Sequence, residues 1–159
     1  MRALFVCLLV VFAAPTHGAD KDEDKAKEAA AAFLKALVAK DIDALMKTVD
    51  VPYMGDIGSA KPQMIYKSDE LKDEMTTILK GVRTEVFGPL KVGTAYDMAA
   101  FTKFAKENTK PEEVELLIEQ VEKVAGKSGY FVRLGEKNKD SGLVIRIKDG
   151  KALVAGVTK

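Results

Sequence analysis

Leu143-Val144-Ile145-Arg146-Ile147-Lys148-Asp149-Gly150-Lys151-Ala152-Leu153-Val154-Ala155-Gly156-Val157 ends the chain with two branched apolar runs around one Asp-Gly pair. Asp-Gly is a strong signal for a two-residue hairpin turn, because both turn positions take positive φ, which glycine adopts freely and aspartate tolerates. With that turn, position 147 faces 152, 145 faces 154 and 143 faces 156. Ile147, Ala152, Ile145, Val154, Leu143 and Gly156 then share one apolar face, while Val144, Leu153 and Ala155 lie on the other with Arg146, Lys148 and Lys151. Tyr130 to Leu134 reads as a further strand, separated from the hairpin by the polar stretch Gly135 to Gly142. The C-terminal third is therefore expected to be antiparallel sheet.

Upstream the period changes to that of helices. From Asp24, residues Ala26, Ala29, Ala30, Phe33, Leu34, Leu37 and Val38 recur at three- and four-residue steps, the stripe of a helix facing a core. Asp41 is placed as the N-cap of a short second helix, Ile42 to Val49, ended by Asp50-Val51-Pro52. Short extended pieces are expected at Val51 to Met54 and Gln63 to Tyr66. Ser68-Asp69-Glu70-Leu71 opens a third helix with Leu71, Met75, Ile78 and Leu79 on one side, stopped by Gly81. Val82 to Phe87 and Leu90 to Tyr96 read as strand, bent or divided at Gly88-Pro89. Two helical segments follow within residues 97–126, the second opened by Thr109-Lys110-Pro111-Glu112 as a capping box. Its stripe of Val114, Leu117, Ile118, Val121, Val124 and Ala125 either covers the protein's own sheet or docks a partner; the first is the ordinary use of such a face. The fold class is thus α+β: N-terminal helices packed against one face of a curved, cone-like antiparallel sheet, with a helical insertion at about 97–126 before the last three strands.

The N-terminus bounds the chemistry. Met1-Arg2-Ala3, the apolar run Leu4 to Ala14 and Pro15-Thr16-His17-Gly18-Ala19 follow the charge, core and small-residue order of a secretory signal, with cleavage expected after Gly18. The apolar run is about half of the ~20 residues that span a bilayer. The expectation is an exported protein, periplasmic or extracellular, whose residues 19–159 form one domain with no membrane anchor. Cleavage removes Cys7 and His17. It also removes Arg2 from the 25 basic residues, leaving them equal in number to the 24 acidic ones. A neutral balance argues against attraction to nucleic acid or an anionic membrane. Without imidazole or thiolate, zinc and copper sites and His-dependent nucleophilic triads are excluded, and no cofactor or metal is expected. Carboxylate, tyrosine and lysine chemistry survives. Asp20, Asp22 and Asp24 alternate without the glycine and distal Glu of a calcium loop, and read as a solvated helix start.

The stretch Ala32-Phe33-Leu34-Lys35-Ala36-Leu37-Val38-Ala39-Lys40-Asp41-Ile42-Asp43-Ala44-Leu45, with Pro52-Tyr53 a few residues on, resembles the opening of nuclear transport factor 2-like domains. That superfamily, of cystatin-like α+β type, includes the ketosteroid isomerases and polyketide cyclases. The resemblance implies a helix and short helix first, a third helix before the main strands, a terminal hairpin, and a cone whose interior binds a small apolar molecule. Ketosteroid isomerases use a carboxylate base beside tyrosine and acid hydrogen-bond donors, chemistry that needs carboxyls of separated pKa in an apolar pocket. Tyr53, Asp56, Tyr66, Tyr96 and Asp97 are the candidates for such a pocket, and no catalytic residue carries over. The alternative is that the tyrosines bury their rings as packing and Asp56 caps a turn. Arg83, Arg133 and Arg146 fall on expected strands, where two could converge on an oxyanion or pair with Glu85 or Glu136. The expected ligand-binding set is Tyr53, Asp56, Tyr66, Tyr96 and Arg133. Three functions are carried forward: a non-catalytic binding or accessory domain with a small-ligand or peptide pocket, a Tyr/Asp proton-transfer enzyme, and a homodimer formed through the sheet face bearing Val144, Leu153 and Ala155.

Overall fold

A computed structural model describes residues 17–82, 90–135 and 141–158. The signal-sequence reading rests on residues that lie almost wholly outside these. Arg83, Glu85, Glu136 and the strand expected after Val82 are also outside. Among the described residues the elements follow in order: α1 (His17–Ala39), α2 (Ile42–Met46), β1 (Val49–Ile57), β2 (Gln63–Ile65), α3 (Ser68–Gly81), β3 (Val92–Asp97), α4 (Met98–Asn108), α5 (Pro111–Ala125), β4 (Tyr130–Leu134), β5 (Gly142–Lys148) and β6 (Lys151–Thr158). Helices precede the main strands, and α4 and α5 are inserted ahead of the last three strands, so the α+β class stands. Among the described residues no helix is long and apolar enough to cross a membrane.

The strands form one open sheet in the order β2-β1-β6-β5-β4-β3. It is mixed rather than antiparallel throughout, because β1 runs parallel to β6 while every other neighbour is antiparallel. Two antiparallel units, β1–β2 and β3 to β6, meet edge to edge. No turn joins β1 to β6, so no turn chemistry announces their relative direction.

Helices cover both faces, not one. On the first, α1, α2 and α3 bury Phe33, Leu37, Leu45, Leu71 and Met75 against Val132, Leu143, Ile145 and Val154. On the second, α4 and α5 bury Phe101, Ala105, Ile118, Val121 and Val124 against Met54, Ile57, Phe131, Val144 and Ala155. The reason is visible in β5, where Leu143, Val144 and Ile145 are apolar in succession, as a strand covered on both sides must be. Val144 and Ala155 are fully buried under this second layer. The face needed for a sheet-mediated homodimer is therefore occupied by the chain's own helix α5, the ordinary use expected of its apolar stripe.

Local details follow from the residues. Asp41 caps α2 by accepting from Ala44 N at 2.9 Å, and Asp97 caps α4 by accepting from Ala100 N at 2.8 Å. Val49 belongs to β1 rather than to the end of α2. The expected capping box at Thr109 does not form: Thr109 closes α4 by donating its backbone N–H to Ala105 O, and α5 starts with Pro111 in its first turn behind Lys110. The hairpin pairs Ile147 with Ala152 and Ile145 with Val154 as expected, across positive φ at Asp149 and Gly150. The register then slips at Ala155, so that Val144 faces Gly156 and Leu143 faces Val157. Gly156 consequently leaves the expected face. A Cβ there would lie 2.5 Å from Ile57 Cδ1 and 2.8 Å from Met54 O, so only glycine lets β1 approach this closely.

Arg146 holds the seam between the two units. From Val49 to Met54, β1 advances five residues while β6 advances two, from Val154 to Gly156. The surplus segment cannot keep a ladder, and its carbonyls need other donors. Arg146 on β5 supplies them: Nη1 donates to Val51 O at 3.1 Å and to Asp50 Oδ2 at 2.9 Å, and Nη2 donates to Pro52 O at 2.9 Å. Its Nε donates to Val124 O at 2.8 Å, near the end of α5. Arg146 and Asp50 are shielded, with side-chain exposures of 16% and 15%, and Asp50 keeps a longer second partner in Lys148 Nζ at 3.7 Å, so loss of Arg146 is felt chiefly at the carbonyls of Val51, Pro52 and Val124 that it serves. Arg146→Met is expected to lower the unfolding free energy in urea by about 3 kcal/mol, and Arg146→Lys to recover less than half, because an ammonium cannot reach all four acceptors. Equal stability of Arg146→Lys and the parent would show that charge alone suffices.

Candidate functional site

β1 builds the site by breaking its own alternation. In a regular strand Tyr53, Gly55 and Ile57 would share a face, with Met54 and Asp56 on the other. Between Met54 and Ile57 the register against β6 shifts again, and Asp56 takes a φ of 54°, a left-handed value that aspartate tolerates at modest cost. After the bulge, Tyr53, Gly55 and Asp56 line one cavity while Ile57 joins Met54 in the opposite core. The irregularity brings a carboxylate to the side of the tyrosine.

The cavity lies between the sheet and helices α1 and α3 and has a volume of about 300 Å³. Phe33, Leu34 and Leu37 of α1, Met75 and Ile78 of α3, and Leu134, Leu143 and Val157 of the strands make apolar walls. Tyr53 is 3% exposed, and no hydrogen bond joins its hydroxyl to a described residue. Asp56 is solvent-exposed and Glu74 half-buried, so both stand toward the rim. Burial pushes the Tyr53 phenol well above its ordinary value of 10.0, and the charges of Glu74 and Asp56 push it the same way. At neutral pH the group is therefore a neutral phenol, able to donate one hydrogen bond and accept another.

The structure brings together only part of the expected set. Tyr53 and Asp56 share the cavity. Tyr66 is 63% exposed beyond the end of β2 and is not among the cavity's lining residues. Tyr96 and Arg133 meet on the opposite side of the sheet: the Tyr96 ring stacks on Phe104 of α4 at 4.8 Å, and the Arg133 guanidinium lies 5.4 Å from the same ring's centroid. Asp97 is engaged as a helix cap and Arg146 as the clamp described above. Glu74 was not anticipated, although its signal is in the sequence. At helical spacing it sits between Leu71 and Ile78 on the apolar stripe of α3, where a carboxylate is out of place.

A second hollow of about 360 Å³ lies on the other side of the sheet, among Phe104, Lys110, Glu113, Leu117 and Gly58. Next to it, the buried Gln120 accepts from Gly58 N at 2.7 Å and donates to Ser59 O at 3.0 Å, fixing the β1–β2 connection to α5. Among the described residues no three His, Cys, Asp or Glu side chains gather to hold a metal ion. No family model matches the chain, and no curated protein matches it.

The raised phenol has a measurable consequence. A proton held more tightly in the folded state gives stability that is complete below the unfolded pKa near 10 and is lost as pH rises above it. Between pH 10 and 12 the parent protein should lose stability faster than Tyr53→Phe by about 1.4 kcal/mol per pH unit, read from urea unfolding at stepped pH. Parallel profiles would place the phenol in water rather than in the cavity wall.

Proposed function

We propose that the protein is an exported, non-catalytic binding or accessory domain of the nuclear transport factor 2-like type, and that the Tyr53 cavity takes a small, largely apolar ligand. The observation that carries this reading is the cavity itself: about 300 Å³, apolar on its walls, with one buried phenol that no described residue engages. Ligand sites run from roughly 300 to 1,000 Å³ and combine apolar walls with a few placed polar groups. The volume suits a compact molecule better than a peptide. The paired helices α1 and α2, the third helix α3 before the main strands and the closing β5–β6 hairpin support the family resemblance.

Proton transfer is the second reading, and it draws on the same juxtaposition of Tyr53 with Asp56 and Glu74. Binding is favoured because a general base works best where the site excludes water, whereas Asp56 is exposed at the rim.

Gly55 provides the test. It lines the cavity, its φ is not positive, and the nearest atom to an added Cβ is Gln63 Cβ at 3.9 Å. A larger side chain therefore enters the cavity without backbone strain. Small aromatic and alicyclic fragments screened by protein-observed NMR should give shifts at Tyr53, Met75 and Leu134, and Gly55→Phe should weaken those fragments at least ~10-fold with an unchanged melting temperature. Unaltered affinity in a folded Gly55→Phe variant would move the binding site elsewhere.

A further inference from the structure

Arg133 and Arg146 stand on neighbouring strands and use their donors in opposite ways. Arg146 donates through Nε, Nη1 and Nη2 to four acceptors. Arg133 donates to no described residue, and its Nε–H is buried without a partner. The Phe104 ring, 5.4 Å from the guanidinium carbon, meets its charge but takes none of its N–H donors. A buried donor left unsatisfied costs about 1–3 kcal/mol, so such a group points to an acceptor that the fold itself does not supply.

The sheet leaves room beside it. Arg133 lies opposite Gly142 on β5, and on the β3 side a Cβ at Gly93 would come within 3.4 Å of Arg133 Cβ. Neither flanking residue has a side chain to bond the guanidinium. The residue as a whole is half-buried, so its outer edge reaches solvent while Nε does not. Phe104 also walls the second hollow, of about 360 Å³, together with Leu117 and Thr158. Thr158 pairs with Gly142 and is therefore two strands from Arg133, roughly 10 Å away. The charged residues lining that hollow, Lys110 and Glu113, pair with each other at 3.9 Å. Among the described residues Arg133 is thus a cation beside the hollow with no carboxylate against it.

We propose that Arg133 binds the carboxylate of a small ligand whose apolar body lies in the hollow against Phe104 and Leu117. One guanidinium fork matches a two-oxygen monoanion in charge and in shape, whereas a phosphate dianion would keep half of its charge unanswered. The Phe104 ring holds the guanidinium before the ligand arrives, which lowers the cost of ordering it on binding. This site lies on the opposite face of the sheet from the Tyr53 cavity and does not rest on the reading proposed for that cavity.

Three probes separate the charge from the body: phenylpropanoate, its neutral counterpart phenylpropanol, and acetate. Each is titrated into the full folded chain at neutral pH in about 100 mM chloride, which screens non-specific attraction, while arginine Nε–H and Phe104 ring resonances are followed by NMR. Phenylpropanoate should shift the Arg133 Nε–H saturably and bind at least ~10-fold more tightly than the alcohol or acetate, with the Arg146 Nε–H unmoved. Arg133→Gln removes the charge and should bring the acid down to the alcohol's affinity. An alcohol that matches the acid, an Arg133 shift that does not saturate, or an undiminished acid affinity in folded Arg133→Gln overturns the inference. An acid that shifts Tyr53 and Met75 in place of Arg133 and Phe104 overturns it as well. Should Arg133→Gln fail to fold, the titration of the parent protein decides alone, because the Arg133 Nε–H reports directly on its own site.

Discussion

The arrangement depends on one guanidinium. Arg146 reaches from β5 across the sheet's seam to a segment of β1 that cannot keep a ladder with β6, and satisfies Val51 O and Pro52 O beside the Asp50 carboxylate. A lysine would serve one or two of these acceptors; the planar fork serves four in fixed directions. The same side chain ends α5 on the sheet through Val124 O. It thereby joins the two antiparallel units and the second helical layer at one point. Tyr53 follows Pro52 directly, so the clamp also fixes where the phenol enters the cavity.

Two departures from regular strand geometry turn this frame into a site. At Ala155 the β6 bulge rotates Gly156 toward β1, and the missing Cβ lets Met54 and Ile57 pack closely. At Gly55-Asp56 the β1 bulge sends Asp56 to the tyrosine's side and Ile57 to the opposite core. Apolar burial sets the direction of both. Ile57 loses water by turning inward, which is worth on the order of 1.5–3 kcal/mol for a fully buried aliphatic side chain and offsets a left-handed aspartate that costs about 1–3 kcal/mol. The bulge is therefore compatible with a stable sheet and still delivers a charged group to the cavity rim.

Much of the architecture was legible where local chemistry writes it. Asp149-Gly150 marks the hairpin, Asp41 marks a helix start, and the α1 and α5 stripes mark buried faces, since each depends on residues close in sequence. The parallel contact of β1 with β6 was not legible, because it pairs strands about a hundred residues apart with no turn between them. The second helical layer was hinted at by three successive apolar residues in β5, which fit a strand covered twice. In the site, Tyr53 and Asp56 were identified by type, yet their convergence depends on a bulge no sequence pattern announces. Tyr96 and Arg133 are a tyrosine and an arginine in strands like the others, and only the sheet's facing separates them from the cavity. Glu74 was readable as a carboxylate inside an apolar stripe.

The polar chemistry inside the Tyr53 cavity centres on one buried phenol. A phenol held neutral by burial can donate and accept hydrogen bonds but does not serve as a base at neutral pH. The carboxylates near it stand toward water. On the binding reading proposed above, such a site recognises shape and one polar group, with its apolar walls excluding water from the bound body. The most direct test is a crystal structure of the protein soaked with phenylbutanol. The binding reading predicts electron density enclosed by Phe33, Met75 and Leu134, with the Tyr53 hydroxyl within ~2.5 to 3.0 Å of the ligand's hydroxyl. Density only in the hollow beside Lys110 and Glu113, or a Tyr53 cavity filled by its own side chains, would contradict it.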